Sequence, residues 1–123
     1  GFVLALSKKW DKPEESYKIW KHKYPCLFKL GQVQYVPVEE DIIVANMIAQ
    51  HNFPTKDRPR AVDYQALEEC LKKISNFESP NFSVHAPRIG AGLGGGDWKE
   101  IELLLLKTLV IKHIPVTIYD FQP

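Results

Sequence analysis

The segment His85-Ala86-Pro87-Arg88-Ile89-Gly90-Ala91-Gly92-Leu93-Gly94-Gly95-Gly96-Asp97-Trp98 constrains the fold more than any other stretch of the chain. The apolar run over residues 82–86 reads as a strand, and Asp97 reads as the cap of a helix that starts at Trp98. Between them stand five of the 7 glycines in the sequence. A plain turn needs only one or two glycines, so this density points to backbone that closes around a ligand. A strand, a glycine loop and a helix start together form an anion cradle. Main-chain amides converge, the helix start is expected to add unpaired N–H donors and partial positive charge, and phosphate is the commonest anion held this way. The alternative is a flexible loop that merely turns the chain.

The remaining totals narrow the class. A chain of 123 residues suits one domain with a single core. The formal net charge of +1 gives no broad field for strong non-specific binding to nucleic acid or to an anionic membrane. Lys8, Lys9, Lys12, Lys18, Lys21, Lys23 and Lys29 cluster in the first third and read as a solvated helix face. No run approaches the roughly 18 apolar residues of a membrane span, and no signal-peptide pattern is visible. Cys26 and Cys70 show no metal spacing, and His51 and His85 form no ligand pattern with other residues, so neither a metal nor a cofactor is expected. Cys70 reads as a buried thiol. An intracellular, cytoplasmic setting is expected.

Along the chain, residues 2–10 read as a short helix, and Pro13-Glu14-Glu15 opens another. Val33 and Tyr35 begin a strand that Pro37 is expected to end. Residues 42–49 are apolar almost throughout, the pattern of a strand covered on both faces. Asp63 caps a helix whose apolar positions are Tyr64, Leu67, Leu71, Ile74 and Phe77. The strand near Phe82, the glycine loop, a helix from Trp98 to about His113 and a closing strand at Val116-Thr117-Ile118-Tyr119 follow. The order β, β, α, β, α, β predicts an α/β fold with a mostly parallel sheet. The opening glycine and apolar helix look like a β-to-α unit without its strand, so an N-terminal portion is expected to be missing. The alternative is a naturally short chain that borrows sheet from a partner.

These residues resemble the macro domains, and most closely the branch with the chromatin-remodeller macro domain, terminal ADP-ribose glycohydrolase and the DNA ADP-ribosyl glycohydrolase antitoxins. The matching stretches are Gly1-Phe2-Val3-Leu4-Ala5-Leu6, Val44-Ala45-Asn46-Met47-Ile48-Ala49-Gln50-His51, Phe53-Pro54-Thr55-Lys56, the run from Pro87 to Trp98, and Val116-Thr117-Ile118-Tyr119. The resemblance implies one domain over residues 1–123, a three-layer α/β/α sandwich with a mixed, mostly parallel sheet, which binds ADP-ribose or an ADP-ribosylated macromolecule in a surface cleft. Gly1, Phe2 and Val3 look like the tail of one ligand loop. Gly90, Ala91, Gly92, Leu93, Gly94, Gly95, Gly96 and Asp97 look like the other, wrapping the diphosphate. The acidic residue that holds adenine in the family would fall before Gly1.

Several members of this branch remove ADP-ribose from macromolecules and carry a Thr-Lys step like Thr55-Lys56. The resemblance makes Lys56 the candidate catalytic residue, a lysine that attacks or stabilises the anomeric carbon of the distal ribose once its amine is desolvated. Gly94 stands where the protein glycohydrolase has an aspartate, which argues against a Lys–Asp pair. A reader module without chemistry and a phosphatase acting on ADP-ribose 1″-phosphate are the alternatives. Gln50, His51, Trp98 and Tyr119 are candidates to line the cleft, with core packing equally open to the two aromatics. His85 reads as a satisfied histidine, either in the core or supporting a residue of the site from behind, and Asn46, in an apolar strand, must find partners, in a neighbouring loop by this reading.

Overall fold

The computed structural model describes residues 2–50, 56, 61–91 and 95–120. Helix α1 spans Phe2–Lys9 and α2 spans Lys12–Lys23. Pro13 sits in the first turn of α2, Glu14 and Glu15 lie at its positive end, and Lys21, His22 and Lys23 lie at its negative end. Lys8, Lys9, Lys12, Lys18, Lys21, Lys23 and Lys29 are all exposed, as a solvated face requires.

Strands β1 (Val33–Glu39) and β2 (Ile42–Met47) form an antiparallel hairpin. Pro37 does not end β1. The Ile48 amide donates to the Gln32 carbonyl at 2.9 Å, and alternation from there makes Gln34–Asn46 and Val36–Val44 the hydrogen-bonded pairs. Pro37, opposite Ile43, therefore turns its nitrogen to the outer edge, where no N–H is needed. β2 is also less covered than its composition suggests: Ile42 and Ile43, beside the hairpin turn, are 38% and 45% exposed. The two faces of the hairpin differ. Val33, Ala45 and Met47 pack on the core. On the opposite face, the Gln34 amide donates to the Ser16 carbonyl at 3.0 Å, and the Asn46 amide donates to the Pro13 carbonyl and to Gln34 Oε1, each at 3.0 Å. Asn46 thus ties the hairpin to the first turn of α2 rather than to a loop.

Helix α3 (Tyr64–Ser75) begins where expected: the Asp63 carboxylate accepts from the Ala66 amide at 2.9 Å. Strand β3 covers Val84–Pro87, two residues later than the apolar run suggests. It follows a turn in which Asn81 adopts a φ of 57°. Helix α4 covers only Trp98–Thr108, followed by a 3₁₀ turn at Val110–Lys112 and by His113 in the left-handed region at φ 62°. The Thr108 hydroxyl donates to the Leu104 carbonyl at 2.6 Å, a local bond that competes with continued helix. Strand β4 (Val116–Tyr119) pairs with β3 in parallel, Val84 opposite Val116 and Pro87 opposite Tyr119.

The fold is therefore α/β, with one antiparallel pair and one parallel pair that are not hydrogen-bonded to each other among the described residues. Both pairs rest on one core of Val62, Leu67, Leu71, Ile74, Ile101, Leu104, Leu105 and Leu109, to which β3 and β4 contribute Val84, Val116 and Ile118. His85 is exposed rather than in the core, because alternation along β3 turns it to the face opposite Val84. Among the described residues no helix is long and apolar enough to cross a membrane.

Candidate functional site

The glycine loop leaves β3 through a tight bend. The Ile89 amide donates to the Pro87 carbonyl at 2.8 Å and the Ala91 amide to the Arg88 carbonyl at 3.3 Å. It is then pinched shut, because the Gly96 amide donates to the Gly90 carbonyl at 2.8 Å. Two glycines are obligatory at this neck. Gly90 has a φ of +74°, and a Cβ there would lie 2.9 Å from Val62 Cγ2. A Cβ on Gly96 would lie 2.7 Å from the Gly90 carbonyl oxygen, 2.8 Å from Val62 Cγ1 and 3.0 Å from Ile101 Cδ1. The loop therefore starts and finishes on one point, pressed against two core side chains.

The start of α4 differs from the expectation of unpaired donors. Asp97 caps it: its carboxylate accepts from the Lys99 amide at 3.0 Å, and its carbonyl accepts from the amides of Glu100 at 3.1 Å and Ile101 at 3.2 Å. The Asp97 amide itself donates to the Tyr64 hydroxyl at 2.9 Å. The Asp97 carboxylate thus already meets part of the positive charge at the start of this helix. The amides of Ala91, Gly96 and Asp97 are likewise committed within the protein. Gly92, Leu93 and Gly94 lie outside the described residues.

A second loop starts from the same place. Gln50 and Val62 form an antiparallel bridge, and the Asp63 amide donates to the Ala49 carbonyl at 2.8 Å, so the chain departs after Gln50 and returns at Val62. Lys56 belongs to this excursion and is exposed. His51 and Thr55, on the same excursion, lie outside the described residues. The returning residues hold the glycine loop: Val62 packs under Gly90 and Gly96, and Tyr64 binds Asp97. The necks of the two loops are thereby fused. Val62 and Tyr64 register in the sequence only as an apolar residue and the first helical residue after Asp63, so their role was missed there.

Other candidates fall around this junction. Trp98 packs against the core, with the Arg88 guanidinium 5.2 Å from the centre of its ring. Arg88 also pairs with Asp120 at 2.7 Å, joining the C-terminal ends of β3 and β4. Tyr119 is exposed; its hydroxyl lies 2.8 Å from His85 Nδ1, and His85 Nε2 lies 3.0 Å from the Ser83 hydroxyl. Gln50 is exposed beside its bridge to Val62. Phe2 and Val3 lie in α1, which packs on α2, and Gly1 is outside the described residues. A depression of about 370 Å³ lies between Trp20, Cys26, Leu27, Lys29, Gln32, Val33 and Gln34, and among the described residues it shares none with either loop. Among the described residues no group of three His, Cys, Asp or Glu could hold a metal ion.

No family model matches the chain. Solved structures and curated relatives do. A protein of unknown function from Bacteroides thetaiotaomicron is 46% identical and superposes with a TM-score of 0.92 over 98% of this chain and 78% of its own. The chromodomain-helicase-DNA-binding protein 1-like of Mus musculus is 33% identical over 132 residues, which cover 98% of this chain. The chain spans only 14% of that protein's length. A macrodomain protein from Streptomyces coelicolor is 41% identical with a TM-score of 0.83, over 99% of this chain and 78% of its own. With identity of that order across most of both chains, the protein belongs to the macrodomain family.

Proposed function

We propose that the chain binds ADP-ribose, free or attached to a macromolecule, with the diphosphate held by the glycine loop. The observation that carries this is the fused pair of loop necks. Ala91, Gly96 and Asp97 have spent their amides on closing and anchoring the loop. The donors that this proposal assigns to the anion are those between the two anchors, over residues 92–95. Gly95, with a φ of 70°, is among them. Fixing both ends before a ligand arrives lowers the entropy lost on binding. Gly1, Phe2, Val3, Gln50, His51, Trp98 and Tyr119 complete the proposed ligand surface.

Hydrolysis of an ADP-ribosyl linkage is the catalytic extension of this proposal, with Lys56 as its centre. The amine attacks the anomeric carbon of the distal ribose as the bond to the macromolecule breaks; the leaving group takes up a proton, and water then releases the sugar. Lys56 is exposed, so in this proposal the bound substrate supplies the desolvation such an amine needs. Membership of the family also supports a complete three-layer α/β/α sandwich with a mixed, mostly parallel sheet. Both strand pairs rest on the same two helices, and one more strand between β2 and β3 would join them.

Calorimetry with ADP-ribose tests binding directly; heats no greater than dilution rule it out. For catalysis, Lys56→Ala is expected to abolish release of ADP-ribose from a modified substrate while ADP-ribose affinity persists. Unchanged turnover in that variant removes lysine chemistry and leaves a binding module.

A further inference from the structure

We propose, on the basis of the ADP-ribose binding proposed above, that Tyr64 is a positioning residue of the site, holding the end of the glycine loop for its ligand rather than holding the fold together. Three observations support this. The Tyr64 hydroxyl accepts the Asp97 amide at 2.9 Å, and Asp97 is the residue that turns the loop into α4. Tyr64 comes directly after Asp63, whose carboxylate caps α3 and whose amide is bound to the Ala49 carbonyl, so the backbone carrying the ring is pinned on both sides. Two residues before Tyr64, Val62 fills the space beneath Gly90 and Gly96. The loop end is thus located by van der Waals contact at Val62 and by a hydrogen bond at Tyr64, both from one short rigid segment.

The two contacts differ in what they stabilise. Val62 is 2% exposed and belongs to the core, so altering it disturbs the fold. The Tyr64–Asp97 bond lies at the surface. When the hydroxyl is removed, water can pair with the Asp97 amide, and the stability of the chain changes little. Water does not fix the direction of that amide, however. The loop end at Asp97 is then less firmly placed before the ligand arrives, and the ligand must bear the cost of placing it.

The test uses Tyr64→Phe, which keeps the ring on the core and removes only the oxygen. ADP-ribose affinity by calorimetry is expected to fall roughly fivefold to tenfold, the loss of one preorganising contact. The Asp97 amide is expected to exchange its hydrogen faster, while the thermal midpoint stays close to that of the unaltered chain. Lys112→Ala serves as the control. Lys112 bonds Ser75 and Asn76 at the far end of α3, so this change is expected to leave affinity untouched. If the unaltered chain binds and Tyr64→Phe binds equally well, the positioning role is overturned and ADP-ribose binding stands. Equal losses of affinity in both variants also overturn it, since the effect is then general destabilisation. If the unaltered chain binds no ADP-ribose, both proposals fall together.

Discussion

Gly96 has no room for a side chain, and the obstacle is backbone as well as side chains. A Cβ there would stand 2.7 Å from the Gly90 carbonyl oxygen, so relief requires opening the neck of the loop. Gly96→Ala is therefore expected to lower the unfolding free energy by about 1–3 kcal/mol, the usual range for overpacking, read as a lower urea midpoint at constant slope. An unchanged midpoint would show that the neck is not clamped. The sequence announced the loop through its glycines but not which of them serve the neck, because close approach is a property of Val62 and Ile101 as well. Cys70 was easier to place from its helix face. Burial pushes its thiol from the usual 9.0 up to about 11, against the nearby Lys73 ammonium. A raised value favours the neutral thiol in the fold, so its contribution to stability is complete below pH 9 and is lost as pH rises from there to about 11. Comparing the chain with Cys70→Ala by chemical denaturation over that range is expected to show the extra loss only in the unaltered chain. Parallel curves would show that the thiol titrates normally.

At the scale of elements, helix starts were legible and element ends were not. Asp63 and Asp97 each precede an apolar helical repeat, and each carboxylate accepts from an amide of its first turn. Asp63→Ala removes one such bond and is expected to cost about 1 kcal/mol, or roughly 3–6 °C in the thermal midpoint of a domain this size. A shift below 1 °C would mean that water caps α3 equally well. The ends depend on partners that local pattern does not contain. Pro37 stays inside β1 because its nitrogen faces the outer edge, which follows from pairing with β2 and not from composition. The apolar repeat continuing to Val110 and Ile111 conceals the end of α4 at Thr108, where the chain tightens into the 3₁₀ turn. His85 looked like a core residue beside Val84 and Ala86, yet neighbouring strand positions face opposite ways.

For the whole molecule, the order of strands and helices was readable, but the joining of the sheet was not. The parallel pair β3–β4 and the antiparallel pair β1–β2 share one helical core without bonding to each other among the described residues. Among the described residues β2 and β3 therefore each keep one edge without a strand partner, and alternation identifies the groups on it. Since the Val84 amide bonds the Pro115 carbonyl, the neighbouring His85 amide points away from β4. Since Ile48 bonds Gln32, the amides of Ala45 and Met47 point away from β1. Unpaired strand edges accept another strand readily, and they also expose their hydrogens to solvent. In dilute solution the amides of Ala45, Met47 and His85 are expected to exchange faster than those of Asn46 and Ala86, which alternate toward their paired strands. Hydrogen exchange resolved by residue makes the comparison at a single pH. Equal protection of both sets would show that the two pairs are joined in solution. Its dependence on protein concentration then separates the causes: protection that fades on dilution comes from a second copy pairing at these edges, and protection that persists comes from within one chain.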